Sequence, residues 1–313
     1  MSSAASGPFV LPETAAVLEL VAAAEGPHLA DLSAADMRAV YRQMGEVFDV
    51  PAEADVRKVD IDHDGLPLRV YHPAAPVAGP VIVYFHGGGW VIGDLETHDP
   101  LCSVIAKVSG LRVVAVDYRL APEHLWPAAH DDCLAATRFV LGNPAQLEAP
   151  VTGVAVAGDS AGGNLAFYVA AELGQGQVLG QLLIYPAGDC TAPEGGSYRE
   201  FAEGFVLDRK LMDRFIGDYL PVEADRALAP LSPLLGKIGA DVPAAVIVTA
   251  GLDPLRDQGR DLAGRIAATG QEVHFLEGAG LIHGLATMRK VFPTGDRLIR
   301  RAVTIFADMI RTN

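Results

Sequence analysis

Short apolar runs alternate with longer amphipathic or alanine-rich segments over most of the 313-residue chain. Nearly continuous apolar runs are typical of strands that are buried on both faces of a parallel sheet. Six such strands are predicted, at Val81–Phe85, Val113–Asp117, Val154–Ala157, Gln181–Tyr185, Ala245–Ala250 and Val273–Leu276. Helices are predicted between or after them, over Pro127–Leu141, Gly162–Leu173, Asp257–Ala268 and about Asp296–Arg311. This alternation predicts an α/β domain in which helices flank a parallel sheet.

A hairpin and two long segments lie outside this alternation. Val56–Ile61 and Leu66–Tyr71 flank an Asp64-Gly65 turn, so an antiparallel hairpin is predicted ahead of the parallel strands. Residues 1–50 look helical, and residues 188–235 are too many for a simple crossover between strands. We predict that these two segments meet as a helical cap, with a helix over Asp208–Tyr219. Residues 51–187 and 236–313 then form the α/β core.

The charge and the N-terminus bear on partners and location. The chain has 24 basic and 39 acidic residues, a formal charge of -15, so it repels nucleic acid and anionic membrane surfaces and neither is expected as a partner. No Lys or Arg precedes Arg38, and Glu13, Glu19 and Glu25 interrupt the first apolar stretch. Neither a signal peptide nor a membrane span is therefore predicted, and a cytoplasmic location is expected. The sequence leaves a homodimer open.

The three cysteines, Cys102, Cys133 and Cys190, are far apart and lack any metal-ligand or redox spacing. Reduced thiols in the core are expected, rather than a disulfide framework or a zinc site.

A turn suited to a reactive serine follows the third predicted parallel strand. The segment from Gly158 to Gly162 is G-D-S-A-G and stands between a strand and a helix, the context that a nucleophile elbow requires. Glycines on either side leave room for a strained turn, and the helix N-terminus directs N–H groups towards a developing oxyanion. A plain tight turn is the structural alternative. We predict Ser160 as the nucleophile and the N–H of Ala161 as one oxyanion donor.

A glycine-rich segment, H-G-G-G-W from His86 to Trp90, follows the first predicted parallel strand. Residues without side chains can bring their backbone N–H groups close to a substrate oxygen. The alternative is a merely flexible loop, but the position of the segment favours a functional one. Gly88 and Gly89 are predicted as the other two oxyanion donors, and His86 is expected to brace the loop by hydrogen bonding.

An acid and a base that assist Ser160 are expected after it in the chain, in the order Asp or Glu and then His, each behind a later strand. Asp253 follows the fifth predicted parallel strand, and His283 lies in a loop behind the sixth, flanked by Gly280 and Gly284. We predict Asp253 and His283 as the second and third members of a catalytic triad.

Other acidic and histidine residues compete for these roles. Asp257 and Asp261 fall within a predicted helix, where their side chains would point away from the strand ends. His274 falls inside a strand, which indicates a core or face position. Surface or packing positions are expected for His98, His124 and His130.

The chain resembles the hormone-sensitive-lipase family of esterases in five segments that occur in the family's order: 86–90, 117–124, 158–163, 253–257 and 280–284. The resemblance covers roughly residues 55 to 310. It implies an α/β-hydrolase fold, a mostly parallel sheet of about eight strands with a helical cap, and hydrolysis of short- to medium-chain acyl esters of small molecules without a cofactor. Residue for residue, the family's triad and its oxyanion donors are matched by Ser160, Asp253 and His283, and by Gly88, Gly89 and Ala161.

Two positions depart from the family's usual pattern. Leu125 stands where a proline is common, and Leu285 stands where a phenylalanine often follows His-Gly. A leucine at 285 leaves less ring area near the base, which bears on the shape of the pocket.

Two other functions use the same scaffold. An amidase or peptidase could carry the same triad, because serine chemistry by itself does not choose between esters and amides. A non-catalytic small-molecule receptor needs no base at all. The two-glycine oxyanion segment favours esters over amides, and the intact Ser160, Asp253 and His283 argue against a receptor.

Overall fold

A computed structural model of the chain describes residues 7–75 and 77–312. The strands in these ranges are β1 Arg57–His63, β2 Leu66–His72, β3 Gly79–Phe85, β4 Arg112–Val116, β5 Val151–Asp159, β6 Val178–Ile184, β7 Ala245–Leu252 and β8 Val273–Ile282. They form one sheet in the order β1-β2-β4-β3-β5-β6-β7-β8. Both partners of β2 are antiparallel to it, and the other neighbouring strands are parallel. The prediction of a mostly parallel sheet of about eight strands is confirmed.

The predicted hairpin forms the start of this sheet. The register pairs His63 with Leu66, so Asp64 and Gly65 make a two-residue turn between β1 and β2. Both turn residues have positive φ, 53° and 88°, which is the backbone that a type I′ turn needs and that favours glycine at its second position.

The α-helices of the described residues are α1 Pro12–Ala23, α2 Ala34–Phe48, α3 Asp99–Ser109, α4 Ala128–Leu141, α5 Ala161–Leu173, α6 Gly196–Glu200, α7 Arg209–Tyr219, α8 Arg256–Ala267 and α9 Pro293–Thr312. Each helix for which the sequence predicts first and last residues is found, and its ends differ from the predicted ones by at most three residues. Helix α3 is not among the helices predicted from the sequence. It carries ordinary boundary signals, a proline in its first turn and Gly110 at its C-cap with φ 67°.

Alternate residues of the central strands enter two separate hydrophobic clusters, one on each face of the sheet. Val81 and Val83 of β3 pack in the cluster that also contains residues of α4, α5 and α8, whereas Ile82 packs with α3 and α9. Every residue of β7 is buried. Covering both faces of a parallel sheet removes its apolar side chains from water, and it leaves the strand ends as the accessible rim.

The last strand is longer than predicted. β8 continues past Leu276 to Ile282, and after a register shift Ile282 pairs with Leu252 of β7. Gly280 lies within β8, where its backbone N is 3.0 Å from the position a Cβ on Gly251 would take. The small residues that suggest a turn in the sequence permit this close approach of two strands. His283 therefore directly follows a strand instead of lying in a longer loop.

Candidate active site

Ser160 occupies the sharp turn between β5 and α5. Its φ of 56° and ψ of −119° are strained for a residue with a side chain. The turn is held by the N–H of Ser160, which donates to the Ile184 carbonyl at 2.8 Å. A Cβ on Gly162 would overlap the Phe85 carbonyl oxygen, and one on Gly158 would overlap that of Gly162. The glycines of the motif are thus required by close packing around the serine.

The structure brings Ser160, His283 and Asp253 together at the carboxyl ends of the strands. His283 Nε2 lies 2.9 Å from Ser160 Oγ, and its Nδ1 lies 2.7 Å from Asp253 Oδ2. The Asp253 side chain is fully buried, and its Oδ1 accepts the Leu255 N–H at 2.8 Å. A carboxylate beside Nδ1 keeps a hydrogen on that nitrogen, which leaves Nε2 free to accept a proton from the serine.

The glycine-rich segment lies against the same site. Gly88 and Gly89 have φ of 119° and 59°, a backbone conformation that L side chains rarely adopt. A Cβ on Gly89 would overlap the Phe215 ring. Together with Ala161, the first residue of α5, these glycines border the cavity that Ser160 and His283 also border.

His86 lies within the glycine-rich segment as a bracing residue. Its Nδ1 is 2.8 Å from the Gly87 carbonyl oxygen, and its ring stacks on Tyr118 with centroids 4.2 Å apart. The Tyr118 hydroxyl donates to the His86 carbonyl at 2.7 Å. Burial lowers the pKa of His86 to about 4, so the ring is neutral at physiological pH. These contacts fit the expected structural role of His86.

The competing residues lie elsewhere. Asp257 and Asp261 are on α8, where Asp257 accepts the Ser197 N–H at 2.8 Å and Asp261 pairs with Arg265. His274 is partly exposed on β8 and contacts Glu272 at 2.6 Å. Asp257 therefore anchors the segment that contains α6 instead of contacting His283.

A buried polar cluster beside the serine was not predicted. The Asp159 and His98 side chains are 3% and 1% exposed, and His98 Nε2 lies 3.2 Å from Asp159 Oδ1. From the sequence, only a surface or packing position is expected for His98. The one available signal was an acidic residue inside a buried strand-to-turn motif, because such a carboxylate needs a partner.

The cavity in front of Ser160 has a volume of about 90 Å³ and an almost wholly apolar wall. Part of this wall comes from α2, through Tyr41 and Met44, and part from the 188–235 segment, through Leu211, Met212 and Phe215. An apolar wall favours the burial of hydrocarbon groups near the reacting atoms.

The N-terminal segment and the 188–235 segment contact each other, and both supply residues to the cavity wall. His28 Nε2 is 2.9 Å from Asp208 Oδ2, and Lys210 Nζ is 2.7 Å from Asp31 Oδ2. Arg214 of α7 donates to the Ala30 carbonyl at 3.0 Å. These contacts join two parts of the chain that are about 180 residues apart.

Leu285 does not shape the cavity. Its side chain is fully buried in the cluster that contains α9 residues, and its Cβ is 3.3 Å from the position a Cβ on Gly295 would take. Gly284, Thr287 and Met288 border the cavity beside His283 instead. The inference that residue 285 bears on pocket shape is wrong, because its side chain points into the core.

Cys102, Cys133 and Cys190 are free and buried, as predicted. In residues 7–75 and 77–312, no group of three or more His, Cys, Asp or Glu residues is placed to hold a metal ion. Within the same described ranges, no helix combines the length and the apolar character needed to cross a bilayer.

Comparison with known proteins identifies the family. A family model described as an alpha/beta hydrolase fold matches residues 82–287. The strand order, the sheet covered by helices on both faces and the serine turn after a strand agree with an α/β-hydrolase fold. The chain belongs to this α/β-hydrolase family, and its resemblance to the hormone-sensitive-lipase esterases is confirmed.

Several curated relatives and solved structures align over most of the chain. Carboxylesterase NlhH of Mycobacterium tuberculosis is 38% identical over 280 residues, which is 85% of this chain and 86% of the relative. Ethyl acetate hydrolase of Pseudomonas putida is 32% identical over 303 residues, 91% of this chain and 94% of the relative. The crystal structure of a thermostable esterase from Pseudomonas putida superposes with a TM-score of 0.90 at 31% identity, covering 98% of this chain and 99% of that chain. A hyperthermophilic esterase from Pyrobaculum calidifontis gives 0.86 at 33% identity, covering 97% and 98%.

Proposed function

We propose that Ser160, His283 and Asp253 are the nucleophile, general base and orienting carboxylate of this chain, and that the N–H groups of Gly88, Gly89 and Ala161 form the oxyanion hole. The chain is a carboxylic ester hydrolase, as its curated relatives are. The observation that carries the residue assignment is the position of the His283 ring, whose two nitrogens contact Ser160 Oγ and Asp253 Oδ2 at 2.9 and 2.7 Å.

In the proposed reaction, Ser160 Oγ attacks the ester carbonyl carbon while His283 Nε2 takes the hydroxyl proton. Asp253 stabilises the imidazolium that forms. The tetrahedral intermediate collapses as His283 returns the proton to the departing alcohol, which leaves an acyl group on Ser160. Water then attacks the acyl carbon while His283 takes its proton, and the carboxylic acid is released when the C–Oγ bond breaks and His283 returns that proton to Ser160 Oγ. Each N–H donor to the oxyanion is worth roughly 3 kcal/mol of transition-state stabilisation.

We further propose short- to medium-chain acyl esters as substrates. The wall of the cavity is almost wholly apolar, and the Phe215 ring lies against Gly89 inside it. Such a wall accepts hydrocarbon chains but restricts their length. We propose that residues 1–50 and 188–235 together act as the cap, because their described parts contact each other and both supply residues to the wall. A cytoplasmic location and a homodimer stay predictions.

The test compares the wild-type chain with Ser160→Ala on p-nitrophenyl esters of increasing acyl length, and on a matching p-nitroanilide. We expect Ser160→Ala to fold with an unchanged circular dichroism spectrum and to hydrolyse esters at a rate close to background. We expect wild type to be labelled stoichiometrically by an organophosphate and the variant to remain unlabelled. Retained esterase activity in Ser160→Ala would overturn the residue assignment, and faster cleavage of the anilide would indicate an amidase.

A further inference from the structure

The residue just before Ser160 carries a buried carboxylate that contacts the glycine-rich segment. Asp159 Oδ1 accepts the Gly87 N–H at 2.8 Å and the Tyr84 hydroxyl at 2.6 Å. The Gly87 N–H is closer to this oxygen than to His98 Nε2, at 3.3 Å, so the carboxylate is its acceptor. A single side chain therefore joins the end of β5 to the residue that precedes Gly88 and Gly89.

His98 contacts a polar group through each of its two ring nitrogens. Its Nδ1 lies 2.9 Å from Thr97 Oγ1, which itself donates to the Asp94 carbonyl at 2.9 Å. With the hydroxyl hydrogen directed at that carbonyl, Nδ1 is the donor to Oγ1. Nε2 faces Asp159 Oδ1 at 3.2 Å, and an ionised carboxylate only accepts. A ring with hydrogen on both nitrogens is an imidazolium cation.

The groups around Asp159 stabilise its ionised form. Burial by itself raises the pKa of the Asp159 carboxyl, but His98, the Tyr84 hydroxyl and the Gly87 N–H outweigh burial and hold the pKa below its usual value. The carboxylate is 3% exposed, so it has little access to water, and a lone buried charge would be costly.

We propose that Asp159 and His98 form a buried ion pair that positions the oxyanion-forming glycines through the Gly87 N–H, and that His98 neutralises the negative charge next to Ser160. The neutralisation matters because the transition state places a second negative charge on the oxyanion nearby. An uncompensated carboxylate would oppose that charge through a medium of low dielectric constant. Asp159 and His98 are positioning residues, since in this proposal they act through the Gly87 N–H and not on the substrate.

The decisive variants are His98→Gln and the double variant His98→Gln with Asp159→Asn. His98→Gln leaves the carboxylate without its cation, so we expect kcat on p-nitrophenyl butyrate to fall at least about 30-fold with KM within about threefold of wild type. The double variant removes the uncompensated charge and keeps an amide oxygen for the Gly87 N–H. We expect its kcat to be at least about tenfold higher than that of His98→Gln.

The matched control is His274→Gln, the same substitution at a partly exposed histidine on β8, which should retain wild-type kcat and KM. If His98→Gln does not fold, Asp159→Asn and Asp159→Ala decide the matter. The asparagine keeps an acceptor for the Gly87 N–H and should have a kcat at least about tenfold above that of the alanine variant. An unchanged kcat in folded His98→Gln, a double variant no faster than His98→Gln, or equal kcat values for the asparagine and alanine variants would overturn the ion-pair proposal.

This inference rests on the proposed function, and the two fail in different ways. A wild-type chain without Ser160-dependent ester hydrolysis would defeat the function itself. A wild-type chain whose hydrolysis does depend on Ser160, but whose kcat does not respond to His98→Gln, would defeat only the ion pair.

Discussion

The Arg289 guanidinium and the Asp49 carboxylate form a buried pair 240 residues apart along the chain. Arg289 Nε and Nη2 lie 3.0 and 3.1 Å from the two carboxylate oxygens, and the Arg289 N–H donates to Oδ1 at 3.0 Å. Both side chains are 1% exposed. The pair joins the end of α2, which supplies Tyr41 and Met44 to the cavity wall, to the segment that follows His283.

Asp49→Asn should destabilise the fold strongly. It leaves the buried Arg289 guanidinium with one nearby carboxylate, Asp296, whose Oδ1 is 3.7 Å from Nη1. Removing one partner of a buried pair typically costs 3 to 5 kcal/mol, and with Asp296 still present we expect a loss of about 3 kcal/mol in the free energy of unfolding. Urea titration followed by tryptophan fluorescence measures it. The control is Asp261→Asn at the half-exposed pair with Arg265, where a loss below about 1 kcal/mol is expected. Equal losses in the two variants would contradict the prediction.

Asp253→Asn should abolish most of the activity without loss of fold. An amide at this position no longer favours the tautomer that leaves Nε2 free, so we expect kcat to fall by roughly 10³- to 10⁴-fold. Steady-state kinetics on a p-nitrophenyl ester measures the change. Asp257→Asn is the matched comparison, because Asp257 is the nearby carboxylate that anchors Ser197 instead, and kcat there should stay within about tenfold. A larger loss in Asp257→Asn than in Asp253→Asn would reverse the assignment.

Phe215→Ala should lengthen the acyl chains that the enzyme prefers. The ring lines the cavity and lies against Gly89, so its removal opens space near the reacting atoms. We expect the ratio of kcat/KM for p-nitrophenyl octanoate to that for the acetate to rise at least about fivefold. Phe139→Ala removes a ring that stacks on His63 outside the cavity, and it should leave this ratio unchanged. An unaltered ratio in Phe215→Ala would mean that another residue limits chain length.

His130→Gln should reduce the amount by which the free energy of unfolding falls as the pH is lowered. Burial lowers the pKa of His130 to about 3, whereas the unfolded chain binds that proton near pH 6.5. Between these values the unfolded state holds more protons, so the free energy of unfolding falls as the pH falls. Between pH 7 and pH 5 this one group contributes a loss of about 2 kcal/mol.

Urea titrations of wild type and His130→Gln at pH 7 and pH 5 test this directly. We expect the difference between the two pH values to be about 2 kcal/mol smaller in the variant. His274→Gln, at a partly exposed histidine, should retain the wild-type difference. An identical pH dependence in wild type and His130→Gln would show that the His130 ring is protonated in the folded state as readily as in the unfolded one.

Local patterns were enough for most of the secondary structure. The runs around Val83 and Ile247 are almost wholly apolar because their strands are covered on both faces, and this is visible in the sequence alone. The continuation of β8 through Gly280 was missed because the same glycines suit either a turn or the close approach of two strands. Only the pairing of Ile282 with Leu252 shows that the strand continues and does not turn.

The sequence by itself determined the α/β class, the serine turn with its flanking glycines, and the order of Ser160, Asp253 and His283, since each depends on neighbours within a few residues. The partnership of His98 with Asp159, the pairing of Asp49 with Arg289 and the burial of Leu285 away from the cavity were decided only by the tertiary structure. These contacts join residues 61 to 240 positions apart, or depend on which face a side chain takes. A charge or a leucine has no local preference for one distant partner, so its role is set by packing and by the cost of leaving a buried charge unpaired.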